Sequence, residues 1–174
     1  MNSWKITYHN YMTIFLDILE FVDHLPAQAR LLGIDPGKKR IGLALSDVSR
    51  VVASPFQTIQ RTKLREMGKL ISALATEHGV GGLVVGIPIS LDGSFGPAAQ
   101  ASRDWAKALS KETGIPTCLW DERLTSSAVN RMLIKEANMS RQRRTQIVDR
   151  LAATYILQSA LEALSMRERI SPSL

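Results

Sequence analysis

The sequence predicts an α/β protein built on a mixed five-stranded sheet, with three antiparallel strands followed by two parallel strands and helices on its faces. Three β-like runs, over residues 30–35, 40–46 and 51–60, are separated by stretches too short for helices, which is typical of antiparallel hairpins. After these runs, helical and strand patterns alternate, which favours parallel strands joined by helices. A chain of 174 residues is long enough to bury one core of this kind.

The second half of the predicted sheet follows from periodicity and from glycines. Apolar residues recur at helical spacing from residue 64 until Gly79 ends the helix. The run "GGLVVGIP" is wholly apolar, as expected for a strand covered on both faces, and the second parallel strand is "PTCLWDE". Between and after these strands, helices are predicted over residues 97–111, 126–136 and 143–164. Ligands of such sheets gather beyond the carboxyl ends of the parallel strands.

A separate stretch precedes the sheet. The sequence "YMTIFLDILEFVDHLP" has the pattern of an amphipathic helix that ends at Pro26, with Asp17, Glu20 and His24 on one face. Because acids interrupt its apolar run, the stretch does not resemble a signal peptide. We expect it to dock on the domain or on another subunit. The chain is thereby divided into a helical extension, a main domain and a tail, over residues 1–29, 30–165 and 166–174.

Composition limits the classes of partner. The net charge of +6 and the pI of about 9.8 point to a polyanionic partner without identifying it. A single cysteine, Cys118, excludes an internal disulfide and is most simply a buried thiol in a reducing compartment. No apolar run reaches the ~18 to 20 residues that would span a membrane, so no membrane partner is expected.

Three carboxylates stand at positions where an acid needs a partner. Asp35 ends the first apolar strand, and a buried charge costs several kcal/mol unless it is paired or bound to a metal. Glu122 follows the last strand. Asp149 lies on the core-facing stripe of the last helix, because the apolar residues that share its face are Ala152, Ala153, Ile156, Leu157 and Ala160. An acid that only served the helix dipole could lie on any face, so its inward position favours a functional site.

These acids converge only if the first strand runs parallel to the last two, which we take as the working arrangement. Three carboxylates there could hold one or two hard divalent cations such as Mg²⁺. Two such ions can activate a water and stabilise the leaving oxygen in phosphodiester cleavage. The three histidines are scattered along the chain, so a zinc site or a serine–histidine triad is poorly supported.

Basic residues flank all three acids. A solvated loop could carry the same charges, but cations beside a metal site can hold a phosphate backbone. The cluster after the first acid lies in the first hairpin turn, and the "SRQRR" run precedes the last acid. The candidate nucleic-acid-binding residues are Lys38, Lys39, Arg40, Arg123, Arg143 and Arg144.

Four segments, "GIDPGKKRIGLALSD", "VVGIPISLDGSFGPAA", "DERLTS" and "VDRLAATYIL", resemble in order and spacing the motifs of the YqgF/RuvX family. The resemblance covers about residues 31–161 and implies an RNase H-like fold. It places the family's catalytic, metal-binding acids on Asp35, Glu122 and Asp149. The other motif residues are interpreted as turn-forming or substrate-facing: Gly37, Arg40, Gly42, Gly86, Pro88, Gly93, Arg123 and Thr125. One departure is the absence of a lysine shortly before the helical acid, where Arg144 is a possible substitute.

The resemblance implies a Mg²⁺- or Mn²⁺-dependent nuclease in the bacterial cytoplasm that trims the 5′ end of the precursor of 16S ribosomal RNA, a step of ribosome biogenesis. Two alternatives stay open. One is a structure-specific resolvase of branched DNA (Holliday junctions), which would require a dimer, and the chain is expected to be a monomer or a homodimer. The other is a non-catalytic RNA-binding assembly factor. An actin/Hsp70-like ATPase shares the opening Asp-x-Gly hairpin but needs two such domains, which 174 residues without a repeat cannot supply.

Overall fold

The computed structural model describes residues 14–124 and 141–170. Its six strands are β1 (Ile14–Phe15), β2 (Arg30–Pro36), β3 (Arg40–Ser46), β4 (Ala53–Gln60), β5 (Val80–Ile87) and β6 (Thr117–Asp121). Its helices are α1 (Ile18–Asp23), α2 (Leu64–His78), α3 (Pro97–Thr113) and α4 (Arg141–Ile170), and a short 3₁₀ turn spans Glu122–Leu124. In the described part of the chain, no helix is both long and apolar enough to cross a membrane.

The strands form one sheet in the order β1-β6-β5-β2-β3-β4. Strands β2, β3 and β4 pair antiparallel, whereas β2 pairs parallel with β5 and β5 pairs parallel with β6. This confirms the mixed α/β architecture of an RNase H-like fold. It also confirms the arrangement needed for convergence, because β2 and β6 end at the same edge of the sheet.

The sixth strand was not predicted. Ile14 and Phe15 pair parallel with β6, opposite Thr117 and Cys118. The expected continuous N-terminal helix is therefore wrong within the described residues. Asp17 interrupts it, because its extended backbone ends the strand and its carboxylate accepts hydrogen bonds from the amides that begin α1.

The segment before β2 packs on the sheet of the same chain. Phe21 is fully buried and its ring lies over Gly82, where a Cβ atom would come within 2.5 Å of it. Arg50 fastens the connection from α1 to β2, since its guanidinium donates to the carbonyl oxygens of Ala29 and Pro26 at 2.8 and 2.5 Å. The predicted docking of this segment on the domain is thus observed for residues 14–29.

Apolar residues fill a core on each face of the sheet. The core toward α2 and α3 is built around Leu32, Ile34, Leu43, Ile71, Leu83 and Leu109. The core toward α1 and α4 is built around Phe21, Leu31, Val84, Ala153, Ile156 and Leu157. The predicted core-facing stripe of the last helix is confirmed, and Cys118 is buried as expected, with burial raising the pKa of its thiol to about 12.

Helix ends follow the glycine signals. Gly79 and Gly114 end α2 and α3 in the left-handed conformation, with φ of 66° and 70°. Helix α3 is two residues longer than predicted, and α4 covers Arg141–Ile170 rather than residues 143–164. The helix predicted over residues 126–136 lies outside the described residues.

Candidate active site

The three predicted acids stand around one edge of the sheet. Asp35 is the penultimate residue of β2, and Glu122 begins the 3₁₀ turn directly after β6. Asp149 belongs to α4, the helix that packs across β2, β3 and β4. The topology therefore brings together residues that are far apart in the sequence, as the sequence pattern predicted.

Burial and mutual repulsion perturb two of these acids. Burial raises the pKa of Asp35 to about 6, and the charge of Asp149 adds to the rise. Burial raises the pKa of Glu122 to about 7, with further contributions from Asp35 and then Asp121. Asp35 thus experiences repulsion from Asp149 and itself repels Glu122, so electrostatic interactions link the three acids into one group. Strongly raised carboxyl pKa values at a cluster of acids are typical of functional sites.

Two glycines make room for this group. A Cβ atom at Gly86 would lie 2.5 Å from Oε1 of Glu122 and 2.5 Å from Cδ1 of Ile156. A Cβ atom at Gly42 would overlap the main-chain carbonyl of Asp149. Both glycines lie within strands, so interpreting them as turn-forming residues is wrong. Their role is to let Glu122 and α4 approach the sheet.

Two other motif glycines do lie in turns. Gly37 belongs to the β2–β3 turn, where a Cβ atom would overlap the carbonyl of Arg40. Gly93 has a φ of 82° and donates its amide to the carbonyl of Ser90 at 2.8 Å. The interpretation of these two residues as turn-forming is confirmed.

Arg40 contacts an acid of the site. Its Nε donates to Oδ2 of Asp149 over 2.9 Å, and the two side chains are 28% and 21% exposed. The sequence placed Arg40 among the nucleic-acid-binding residues, and the structure places its guanidinium on the carboxylate of α4. Lys38 and Lys39, in the turn ahead of it, are exposed.

Arg123 fixes the turn that carries Glu122. Its Nε and Nη2 donate to the carboxylate of Asp121 at 2.8 and 2.5 Å, and its own amide donates to Oδ1 of the same residue. The pairing lowers the pKa of the Asp121 carboxyl and raises that of the Arg123 guanidinium. Asp121 is not among the predicted site residues, although its spacing of two residues from an arginine is a signal for such a local pair.

The remaining predicted residues are not described at side-chain level. The backbones of Arg143 and Arg144 lie in the first turn of α4, but their side chains lie outside the described part of the structure. Thr125 lies outside it altogether.

The acids fit a hard divalent cation by their chemistry. All three offer carboxylate oxygens, the ligands that Mg²⁺ and Mn²⁺ prefer. A cation among them would offset both the burial of their charges and the mutual repulsion, which together raise the pKa values of Asp35 and Glu122. Within residues 14–124 and 141–170, no three acid, histidine or cysteine side chains are arranged tightly enough to ligate one ion as they lie. Ion binding by these acids would therefore require their carboxylates to turn toward one another.

Sequence comparison decides the family. Residues 29–163 match the profile of the family described as "RuvX: Holliday junction resolvase". The chain belongs to the RuvX family. This confirms the resemblance seen in the four motifs. Strand β1 and helix α1 precede the matched region of this RuvX protein.

Close relatives of this RuvX chain carry an RNA-directed name. Proteins called "Putative pre-16S rRNA nuclease" are found in Gluconacetobacter diazotrophicus, Gluconobacter oxydans and Acidiphilium cryptum. They are 61%, 55% and 50% identical, over 77%, 80% and 88% of this chain and 87%, 87% and 96% of their own lengths.

Among solved structures, RuvC of T. thermophilus in complex with a Holliday junction substrate is 13% identical to this chain. The TM-score is 0.48, and the alignment covers 79% of this chain and 96% of that one.

Proposed function

We propose that this RuvX protein is a Mg²⁺- or Mn²⁺-dependent nuclease that hydrolyses phosphodiester bonds in the cytoplasm. The observation that carries the proposal is the convergence of Asp35, Glu122 and Asp149 at one edge of the sheet, where burial and mutual repulsion raise two of their pKa values. A group of partly buried acids of this kind is costly unless it serves binding or chemistry. The name of the relatives supports the same class of activity.

Each acid has a role in this proposal. Asp35, Glu122 and Asp149 would hold the divalent cation, which when bound would activate a water and offset the charge that develops on the leaving oxygen. Around them, Arg40 orients the carboxylate of Asp149, and the Arg123–Asp121 pair orients the turn of Glu122. These two arginines are thus positioning residues of the site.

We propose RNA, the 5′ extension of the 16S ribosomal RNA precursor, as the substrate. The relatives that are 50–61% identical are named for this RNA, whereas the description of the family refers to a DNA junction. The basic composition suits either polyanion. A junction resolvase would need two sites in a dimer, so activity on a four-way junction together with a dimeric state would favour that alternative.

A cleavage assay tests the proposal. The purified protein, with Mg²⁺ or Mn²⁺, is offered a 5′-extended 16S leader transcript, a four-way DNA junction and a linear DNA duplex. Wild type is expected to cleave the transcript, and Asp35→Asn and Glu122→Gln are expected to lose at least 100-fold in rate. Glu77→Gln, a change of an exposed acid on α2, serves as the control and should cleave like wild type.

The same assay distinguishes a nuclease from a non-catalytic RNA-binding module. A binding module would retain its function in Asp35→Asn and lose it when cations such as Arg143 and Arg144 are replaced together. Cleavage by purified Asp35→Asn at the wild-type rate would refute the assignment of the acids.

A further inference from the structure

A cavity of about 230 Å³ lies beside the turn that follows Asp35. Its polar lining comes from Lys38 in the turn, Arg61 after β4 and Ser102 on α3. The rest of the lining consists of proline, glycine and alanine residues of β2, the turn and α3 and of the loop after β5. None of the described residues that line the cavity is acidic, so it is a small cationic notch, which we call the Arg61 cavity.

Arg61 is held in place before any ligand arrives. Its amide donates to the carbonyl of Lys39 at 2.9 Å, and its Nη1 donates to the carbonyl of Gly37 at 2.8 Å. Its guanidinium also lies over the ring of Trp105, 5.1 Å from the centroid. A fixed guanidinium loses little rotamer entropy when it binds an anion, and the N–H groups that do not donate to Gly37 can donate to the oxygens of a phosphate.

The Arg61 cavity is joined to the backbone of Asp35. The amide of Gly37 donates to the carbonyl of Asp35 at 3.0 Å, and Pro36, the residue between them, lines the cavity. Successive side chains of a strand point to opposite faces, so Asp35 faces the α4 side while Pro36 faces the α3 side. The cavity and the Asp35 side chain therefore lie on opposite faces of the sheet at the same end of β2.

We propose that the Arg61 cavity holds a phosphate of the nucleic-acid backbone that neighbours the phosphate at the acids. Arg61 and Lys38 supply the positive charge, and the hydroxyl of Ser102 supplies a further donor. Phosphate contacts of this kind set the position of a strand and carry no sequence information. The proposal rests on the proposed nuclease function and names Arg61 and Ser102 as strand-positioning residues outside the acid group.

Salt dependence of RNA binding tests the Arg61 cavity. The affinity of a single-stranded RNA oligonucleotide is measured without divalent cation, so that no cleavage occurs, over a range of salt concentrations. Each phosphate contact contributes about 0.7 to the slope of log K against log salt for single strands. Arg61→Gln is expected to make the slope less steep by about 0.7. Lys111→Gln, which removes one charge at the far end of α3, should leave it unchanged.

A second variant guards against loss of structure, because Arg61 also braces the turn. Ser102→Asp puts a negative charge into the cavity without removing the contacts of Arg61 to Gly37 and Trp105. It should weaken RNA binding at least tenfold at low salt while its melting temperature stays within a few degrees of wild type.

The outcomes separate this proposal from the nuclease proposal. If wild type cleaves RNA but both variants keep the wild-type slope and affinity, the cavity proposal is wrong and the nuclease proposal stands. If wild type cleaves no RNA but the slope of log K against log salt is less steep by about 0.7 for Arg61→Gln, the phosphate site is supported and the nuclease proposal is not. Equal effects of Arg61→Gln and Lys111→Gln, or no binding of RNA by wild type, would overturn the cavity proposal.

Discussion

Arg40 and Asp149, 109 positions apart in the sequence, are joined by a 2.9 Å contact from Nε to Oδ2. Arg40 begins β3, directly after the turn that follows Asp35, and Asp149 lies on α4. The contact therefore fixes the helical acid relative to the strand acid. It also places a positive charge next to the carboxylate whose own charge raises the pKa of Asp35.

Replacing Arg40 should destabilise the protein in a way that a cation can reverse. Arg40→Gln leaves Asp149 beside Asp35 without its partner, so we expect a loss of about 1–3 kcal/mol in the free energy of unfolding. Mg²⁺ should raise the stability of the variant more than that of wild type. Urea denaturation with and without Mg²⁺ measures both effects, with Arg40→Lys as the charge-conserving control. Equal denaturation midpoints for wild type and Arg40→Gln would contradict the role of the contact.

The raised pKa values predict a pH dependence of stability in the absence of divalent cations. The carboxyl pKa values of Asp35 and Glu122 are about 6 and about 7 in the folded protein, above the ordinary values of 3.8 and 4.5. Between the unfolded and the folded pKa values, the folded state binds more protons than the unfolded state, so the free energy of unfolding falls as the pH rises. The stabilisation that both groups contribute is complete below about pH 4. It is then lost as the pH rises through about 6 to 7.

A comparison with an amide variant isolates this effect. Asp35→Asn cannot ionise, so its free energy of unfolding should depend less on pH, and above pH 7 it should exceed that of wild type by about 1–2 kcal/mol. Urea denaturation in a chelator at half-unit steps between pH 4 and 8 gives both curves. Parallel curves over the whole range would show that burial of Asp35 does not perturb its titration.

The glycines at the site predict two different outcomes for alanine. At Gly86 the added methyl group meets the ends of two side chains, so Gly86→Ala should displace Glu122, cost about 1–3 kcal/mol and lower cleavage at least tenfold. At Gly42 the methyl group meets main-chain atoms of α4, so Gly42→Ala should cost more stability. Gly96→Ala is the control, because the nearest atom would lie 3.7 Å away. Denaturation midpoints and cleavage rates of the three variants test this prediction. Full activity of Gly86→Ala would show that the added methyl group does not displace Glu122.

The segment ahead of β2 should contribute measurably to stability. Phe21 is fully buried against the sheet, so Phe21→Ala is expected to cost about 3–5 kcal/mol. Leu16, which is 79% exposed in the same segment, is the control, and Leu16→Ala should change stability by about 0.5 kcal/mol or less. Chemical denaturation of the two variants tests this, and similar small effects would mean that the segment is not docked in solution.

Local signals account for most of what the sequence predicted correctly. Short separators revealed the hairpins, apolar periodicity revealed the helices, and Gly79 marked the end of α2. The inward position of Asp149 followed from its apolar neighbours at helical spacing. The grouping of Glu122 with Asp35 followed from the expected parallel direction of their strands, and the family resemblance gave the same assignment.

The features that the sequence did not reveal depend on tertiary contacts. Strand β1 has two residues, and their extended conformation is set by pairing with β6 rather than by a local pattern. The contact between Arg40 and Asp149 joins elements far apart in the sequence, so no local pattern predicted it. Gly42 and Gly86 have typical strand surroundings, and only the approach of α4 and of Glu122 explains them.

Titration with Mn²⁺, followed by the loss of the EPR signal of the free ion, tests most directly whether the three acids form one cation site. Wild type is expected to bind Mn²⁺, Asp35→Asn and Asp149→Asn to bind it at least tenfold more weakly, and Glu77→Gln to bind it like wild type. Undiminished Mn²⁺ affinity in both site variants, or no binding by wild type, would contradict a shared cation site.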